Sequence, residues 1–262
     1  MEIHMNPFVY SEHKITSNTK LTIIDIEHLN GDMRVVLDDN FVSICEGRSG
    51  SPLATVKKLV ATLYASKNDT WIMGATAEFF VHLYITLSGF KQECLFLNLE
   101  EGSIKKGFDG YYSHNGDEWL MESKSGSINT NGISHASKIQ LAMNDLEDKV
   151  MGKSQPKTGK IPNNPWRNAY SHASHYDVGA SDKIRRNIKS LSDDFTNGHY
   201  NSLEKFNTMP CGTVFLAGAW NPPLHKDVLT DIQAIADKFI GKQIHAICVT
   251  HKAINLFLDY LS

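Results

Sequence analysis

The sequence predicts an α/β (α+β) fold: a mixed central sheet flanked by helices, with a small β-rich part at the N-terminus. Three observations predict it. Apolar residues recur at helical spacing over residues 52–64, 70–87 and 134–150, and short strand-like runs lie between and after them. Gly107 to Lys124 reads as two strands around Asn115-Gly116, the dipeptide best suited to a two-residue turn in which both positions have positive φ. Near the C-terminus, Thr213–Trp220 and Ile244–Thr250 are apolar on both alternations, as in strands covered on both faces.

Composition sets the outer bounds. The 262 residues, 41% hydrophobic and 21% charged, suit one sizeable domain or two small ones. A formal net charge of -3 gives no global basic signature, so contact with nucleic acid must come from local patches. Cys45, Cys94, Cys211 and Cys248 are scattered, without Cys-x-x-Cys, in the manner of reduced, buried cysteines of a cytoplasmic protein. The opening Met-Glu-Ile-His-Met-Asn-Pro has no basic segment followed by an apolar one, so no signal peptide is expected there. No apolar run reaches the roughly 18 residues that suggest a membrane span.

Residues 1–50 read as a β-rich segment. Leu21–Ile26 is one strand, Asn30-Gly31-Asp32 a turn, and Arg34–Leu37 and Phe41–Cys45 two further strands separated by Asp38-Asp39-Asn40. Gly47–Pro52 reads as a linker, since it matches no phosphate-binding loop. Residues 51–262 form the main domain. Ser51 can cap a helix beginning at Pro52, with Leu53, Val56, Leu59, Val60 and Leu63 along it. A second helix runs from about Thr70 to Leu87, capped by Asp69 or Thr70 and ended by Ser88-Gly89. Glu78 is the only acid in its mostly apolar run, and a carboxylate so placed is exposed, paired or functional. Cys94–Leu99 reads as a short buried strand closed by Glu100–Ser103.

The hairpin carries the chemistry. Counting outward from Asn115-Gly116 puts His114 opposite Asp117 and Asp109 opposite Glu122. Opposed residues share a face, about 5 Å apart at Cβ, and Lys124 shares that face two residues on. Two opposed carboxylates repel unless something positive lies between them. Lys124 is one such group and a divalent cation with oxygen ligands is another. Together they make a hydrolytic site: Asp109 and Glu122 hold a metal that activates water, and Lys124 orients the water or neutralises developing charge. An exposed cross-strand ion-pair face is the plainer alternative.

Beyond the hairpin, Ser125–Gly132 is a polar loop whose backbone N–H groups could meet phosphate. Ser134 then caps a helix to about Val150, with Ile139, Met143, Leu146 and Val150 on one side and Lys138 in its first turns. A basic insertion covers about residues 151–210. In it, Gly152–Lys160 reads as a mobile loop with three lysines, and a helix over Asp182–Asp194 carries Lys183, Arg185, Arg186 and Lys189. His172 and His175 lack a third ligand for zinc. After the strand at Thr213–Trp220, a helix is expected over Asp227–Ile240 and another over Ala253–Leu261.

Asp109 followed by Glu122-Ser123-Lys124 on the adjacent strand resembles the PD-(D/E)xK nuclease superfamily. The order helix, strand, hairpin, helix, strand also resembles the restriction-endonuclease-like core of that superfamily. The resemblance implies Mg²⁺ (or Mn²⁺) on Asp109, Glu122 and the Ser123 carbonyl, Lys124 as the catalytic cation, Glu78 completing the metal shell, and Lys138 on the scissile phosphate. For Lys138 a solvated helix face is an equal reading. Gly107-Phe108-Asp109-Gly110-Tyr111-Tyr112, Glu122-Ser123-Lys124, the Glu78 helix and the chain length resemble the nuclease subunits (HamA) of the Hachiman anti-phage defence system, most closely over residues 70–150. That resemblance implies a bacterial cytoplasmic deoxyribonuclease restrained by a HamB-like helicase subunit. The alternative is a non-catalytic docking subunit that keeps the nuclease fold and binds a helicase or nucleic acid. A glycosidase with paired carboxylates fits less well, because no aromatic-rich sugar cleft is evident and Lys124 stands beside the pair.

Overall fold

The computed structural model describes residues 6–98, 103–104, 107–153 and 163–262. The N-terminal third contains β1 (Val9–Lys14), β2 (Thr19–Ile26), α1 (Gly31–Glu46), α2 (Leu53–Ala65) and α3 (Asp69–Leu87). The middle contains β3 (Lys91–Gln92), β4 (Leu97–Asn98), β5 (Ser103–Ile104), β6 (Gly110–His114), β7 (Asp117–Ser127), α4 (His135–Val150), α5 (Pro165–Ala173) and α6 (Asp182–Thr196). The chain then forms β8 (Asn207–Phe215), α7 (His225–Gln233), β9 (Ile244–His251) and α8 (Asn255–Leu261).

Seven strands make one mixed sheet in the order β1-β2-β9-β8-β7-β6-β3. β2, β9, β8 and β7 are parallel, and β1, β6 and β3 pair antiparallel at the two sides. Helices cover both faces, which is why β8 and β9 are buried along their whole length. One layer, α1, α2, α3 and α8, packs on Ile24, Tyr112, Trp119, Met121, Cys211 and Val249. On the other face, α4, α5 and α6 pack on Tyr111 and Leu120, and α4 and α7 on Leu21, Ile23 and Ala246. The strand period of two makes this division: in the β6–β7 hairpin, neighbouring residues serve opposite layers. The β1–β2 edge is tied to α7 by side chains, where Asp25 Oδ2 meets His225 Nε2 (3.1 Å) and His225 Nδ1 meets Ser11 Oγ (2.7 Å).

Several elements differ from expectation. Arg34–Leu37 and Phe41–Cys45 are not strands but two parts of α1. Met33, Val36, Leu37, Phe41, Ile44 and Cys45 are its buried face, and Asp38 and Asp39 are its exposed one. What resembled a turn is its start, where Asn30 Oδ1 accepts the Met33 N–H at 2.9 Å. The N-terminal strands do not form a sheet of their own; β2 lies parallel to β9 in the central sheet.

Cys94–Leu97 is buried, but only Leu97–Asn98 pairs, and it does so with β5 outside the main sheet. Leu99 to Gly102 lie outside the described residues. β8 starts at Asn207 and stops at Phe215, so Leu216–Trp220 is not strand. Ala217 (φ 55°) and Gly218 (φ 106°) are left-handed and end it. α7 stops at Gln233, with a separate 3₁₀ turn at Ala236–Lys238. α8 begins at Asn255 rather than Ala253.

Caps also shift: Pro52 rather than Ser51 precedes α2, and Asn68 caps α3 through the Trp71 N–H. The Ser134 cap is present, with Ser134 and Ser137 accepting reciprocally from each other's backbone N–H. α5 falls within the stretch expected to be a basic loop and helix insertion, as a helix the sequence reading did not single out. The lysine-rich Ser154–Lys160 lies outside the described residues.

Candidate active site

The hairpin forms in the register that its turn dictates. Asn115 (φ 50°) and Gly116 (φ 85°) are both left-handed, and the ladder runs from His114↔Asp117 to Gly110↔Met121. Asp109 stands one step beyond the last pair. Its Oδ2 accepts the Ser123 N–H at 2.8 Å, which draws the two strands together beside Glu122. Glu122 and Lys124 share the face of Leu120, toward α4.

α4 lies close to that face because two glycines leave room for it. A Cβ on Gly212 would stand 3.0 Å from the His135 carbonyl and 3.1 Å from the Ile139 nitrogen. One on Gly126 would meet Lys138 Cε at 2.8 Å. The helix therefore runs tightly over β7 and β8 and delivers two charged residues that the sequence reading did not single out. Lys149 Nζ donates to Glu122 Oε2 at 2.5 Å, and Asp145 Oδ2 accepts from Lys124 Nζ at 2.5 Å. Lys124 Nζ also donates to Glu122 Oε1 at 2.7 Å, and Lys149 stands 3.3 Å from Asp145 Oδ2.

The result is a ring of two carboxylates and two ammoniums, with Asp109 beside it. Glu122 sits at its floor, with a side chain 1% exposed, while Lys124 and Asp145 are each 32% exposed and open to solvent. Burial, and then the Asp109 charge, push the Glu122 carboxyl well up, against the pull of Lys149 and Lys124. Burial also opposes the charge on Asp145, but hydrogen bonding with Glu122 and the two lysines holds it well below the usual carboxylate range. Burial of Lys124 and Lys149 is outweighed by Glu122 first and Asp109 next, so both ammoniums are held more firmly than free lysines. Groups in such contact titrate as one unit.

Asp109, Glu122, Lys124 and the Ser123 backbone therefore come together. Lys138 stands nearby on α4: burial, and then the Lys124 charge, lower its pKa. Its ammonium makes no hydrogen bond or ion pair among the described residues. Glu78 is placed on α3, in the other helical layer. It stands 3.4 Å from His82 Nε2, and His82 Nδ1 shares a hydrogen bond with the Tyr112 hydroxyl. None of the contacts described for Glu122, Lys124, Asp145 or Lys149 involves Glu78. The Ser123 Oγ is buried without a partner among the described residues.

Lys138, Ala142, Asp145 and Lys149 repeat at helical spacing, so a stripe beside the apolar face of α4 was the available signal. In α6, Arg185 pairs with Asp182 and Lys189 with Asp193, which neutralises part of the basic stretch within the helix.

Among the described residues, no group of three or more His, Cys, Asp and Glu is arranged to hold a metal ion. None of the described helices is long and apolar enough to cross a membrane. In comparison with known proteins, the chain matches no family model and no curated protein.

Proposed function

We propose that the protein is a metal-dependent nuclease of the PD-(D/E)xK type that hydrolyses DNA phosphodiester bonds. The observation that carries this is the convergence of Asp109, Glu122 and Lys124 on one face of the β6–β7 hairpin, with Asp109 fastened to the Ser123 N–H. The donor set suits Mg²⁺ or Mn²⁺, since hard cations take carboxylate and carbonyl oxygens. Mg²⁺ commonly binds one or two carboxylates and completes its shell with water and substrate phosphate, so a three-residue cage is not required. Asp109, Glu122 and the Ser123 carbonyl would hold it, while Glu78, on the other side of the sheet against His82, stands apart from this donor set. When bound, the metal lowers the pKa of a coordinated water and stabilises charge on phosphate oxygens.

The chain's own residues supply the rest. Lys124 is held protonated by Glu122 and Asp145, so its Nζ acts as a fixed donor rather than as a base. It orients the attacking water and stabilises negative charge as the water oxygen bonds to phosphorus and the ester P–O bond breaks. The water proton finally goes to the leaving oxygen. Lys138, near Lys124 and without a hydrogen bond or ion pair among the described residues, would contact the phosphate.

The resemblance to Hachiman nuclease subunits (HamA) supports a bacterial cytoplasmic effector of anti-phage defence, controlled by a HamB-like helicase. A non-catalytic docking subunit is the second reading. One observation favours it: each carboxylate oxygen of Glu122 is engaged by an ammonium.

Cleavage of supercoiled plasmid, with Mg²⁺ or EDTA, alone and with the co-purified helicase and ATP, tests the assignment. Metal-dependent cutting that is lost in Glu122→Ala is expected. Cutting at the wild-type rate by that variant would refute the site, and no cutting under any condition would favour the docking subunit.

A further inference from the structure

We infer that Lys149 is a positioning residue that competes with the divalent cation for Glu122, so that the metal enters as this side chain gives up Oε2. The inference rests on the nuclease reading above and concerns the regulation of its site. The geometry carries it. Glu122 is buried and its two oxygens each accept from a different lysine, Oε1 from Lys124 and Oε2 from Lys149. A divalent cation that reached Oε2 while Lys149 stayed would lie within a few ångströms of an ammonium, in a place where water screens poorly. Either the ammonium moves or the metal binds weakly.

Lys149 has somewhere to go. Asp145 is one helical turn away on the same helix face, and its Oδ2 is already 3.3 Å from Lys149 Nζ. Lys149 is also in the last turn of α4, where cations are favoured by the unpaired carbonyl groups at the helix end. Leaving Glu122 therefore does not strand the ammonium. Lys124 differs in this respect: it bridges Glu122 and Asp145 at 2.7 and 2.5 Å and keeps both partners whether or not Lys149 stays. The two lysines of the ring have separate parts, one fixed donor and one displaceable counter-ion.

The test is Mg²⁺ and Ca²⁺ binding by calorimetry, together with melting in EDTA and in Mg²⁺, on the full chain. Lys149→Met keeps the aliphatic stem and removes the charge. It is expected to bind Mg²⁺ about tenfold or more tightly than wild type, a coupling of ordinary size between two linked sites. It should also melt lower in EDTA, because Glu122 then keeps a single ammonium, and gain more on addition of Mg²⁺. Lys149→Arg retains the charge and should bind as wild type does. Lys149→Gln, a polar replacement, gives the same comparison if the methionine variant fails to fold. Unchanged or weaker affinity in the neutral variants, with wild-type binding still abolished by Asp109→Asn, overturns the inference and leaves the nuclease reading intact. Absence of binding in wild type and in every variant overturns both.

Discussion

Glu122 and Glu78 are two buried carboxylates on opposite sides of one sheet, and they are held differently. Glu122 faces α4 and is clasped by two ammoniums beside a second carboxylate, at a place where Lys124 and Asp145 reach solvent. Glu78 lies in the α1–α2–α3–α8 layer, against His82, whose other nitrogen meets Tyr112 amid Phe79, Phe80 and Phe96. Burial alone therefore does not mark a site in this molecule. What distinguishes Glu122 is the number of charges converging on it and the opening beside them.

The largest expected effect breaks the comparison directly. Glu122→Gln removes the charge that holds both lysines and should lower plasmid cleavage by at least about a hundredfold. Removing one partner of a buried ion cluster typically costs about 3–5 kcal/mol, so a marked fall in melting temperature should accompany it. Glu78→Gln keeps a hydrogen-bonding group toward His82 and should leave cleavage within about tenfold, since several kcal/mol of transition-state interaction would have to vanish for more. Equal losses in the two variants, measured on the same plasmid, would move Glu78 into the site.

The hairpin half of this contrast was legible in the sequence, whereas Glu78 was read together with Glu122, and the illegible part has definite causes. The hairpin register followed from Asn115-Gly116 because turn chemistry is local, and it alone predicted that Asp109 would stand beside Glu122. α1 was hidden because Asp38-Asp39-Asn40 resembles a turn when its neighbours are read as strands. In the helix, those residues are simply the solvent side between Val36–Leu37 and Phe41. Most of β8 was hidden by Pro210 and Gly212, residues that ordinarily argue against a central strand. Asp145 and Lys149 looked like any i, i+4 surface pair. Only the close approach of α4, over Gly126 and Gly212, brings them to Glu122, and nothing in their own spacing records that distance.

A pH series sharpens the difference between charge held by ions and groups buried without charge. His135, His245 and His251 are kept neutral by burial, which lowers them from 6.5 to about 4, 3 and 3. A depressed histidine contributes stability that is complete above its unfolded value of 6.5 and is lost as pH falls toward the folded value. At pH 5.5 that loss is of order 1 kcal/mol for each residue. The melting temperature should therefore fall below about pH 6.5. Lys124 and Lys149 act at the other end. Their raised values give stability that is complete below 10.5 and lost as pH rises beyond it. Lys149→Met should weaken the alkaline limb and leave the acid limb unchanged. A change confined to the acid limb would contradict the ion ring.

The smallest expected effect concerns how firmly the hairpin sets the site. Asn115 is left-handed, at a cost of about 1 kcal/mol for a residue such as alanine. Asn115→Ala should therefore lower the melting temperature by about 2–4 °C, the scale appropriate to a domain of this size. Cleavage should nevertheless stay near wild type. The turn selects the register, but five ladder pairs, the parallel pairing of β7 with β8 and the Asp109–Ser123 bond hold it once chosen. A one-residue slip would send Glu122 to the opposite face, into the aromatic layer, which buried charge forbids. Cleavage that fell far more than stability in Asn115→Ala would show that the turn, rather than the sheet, positions Asp109. Such a result would locate the weak point of the site at the loop, some distance from the charges themselves.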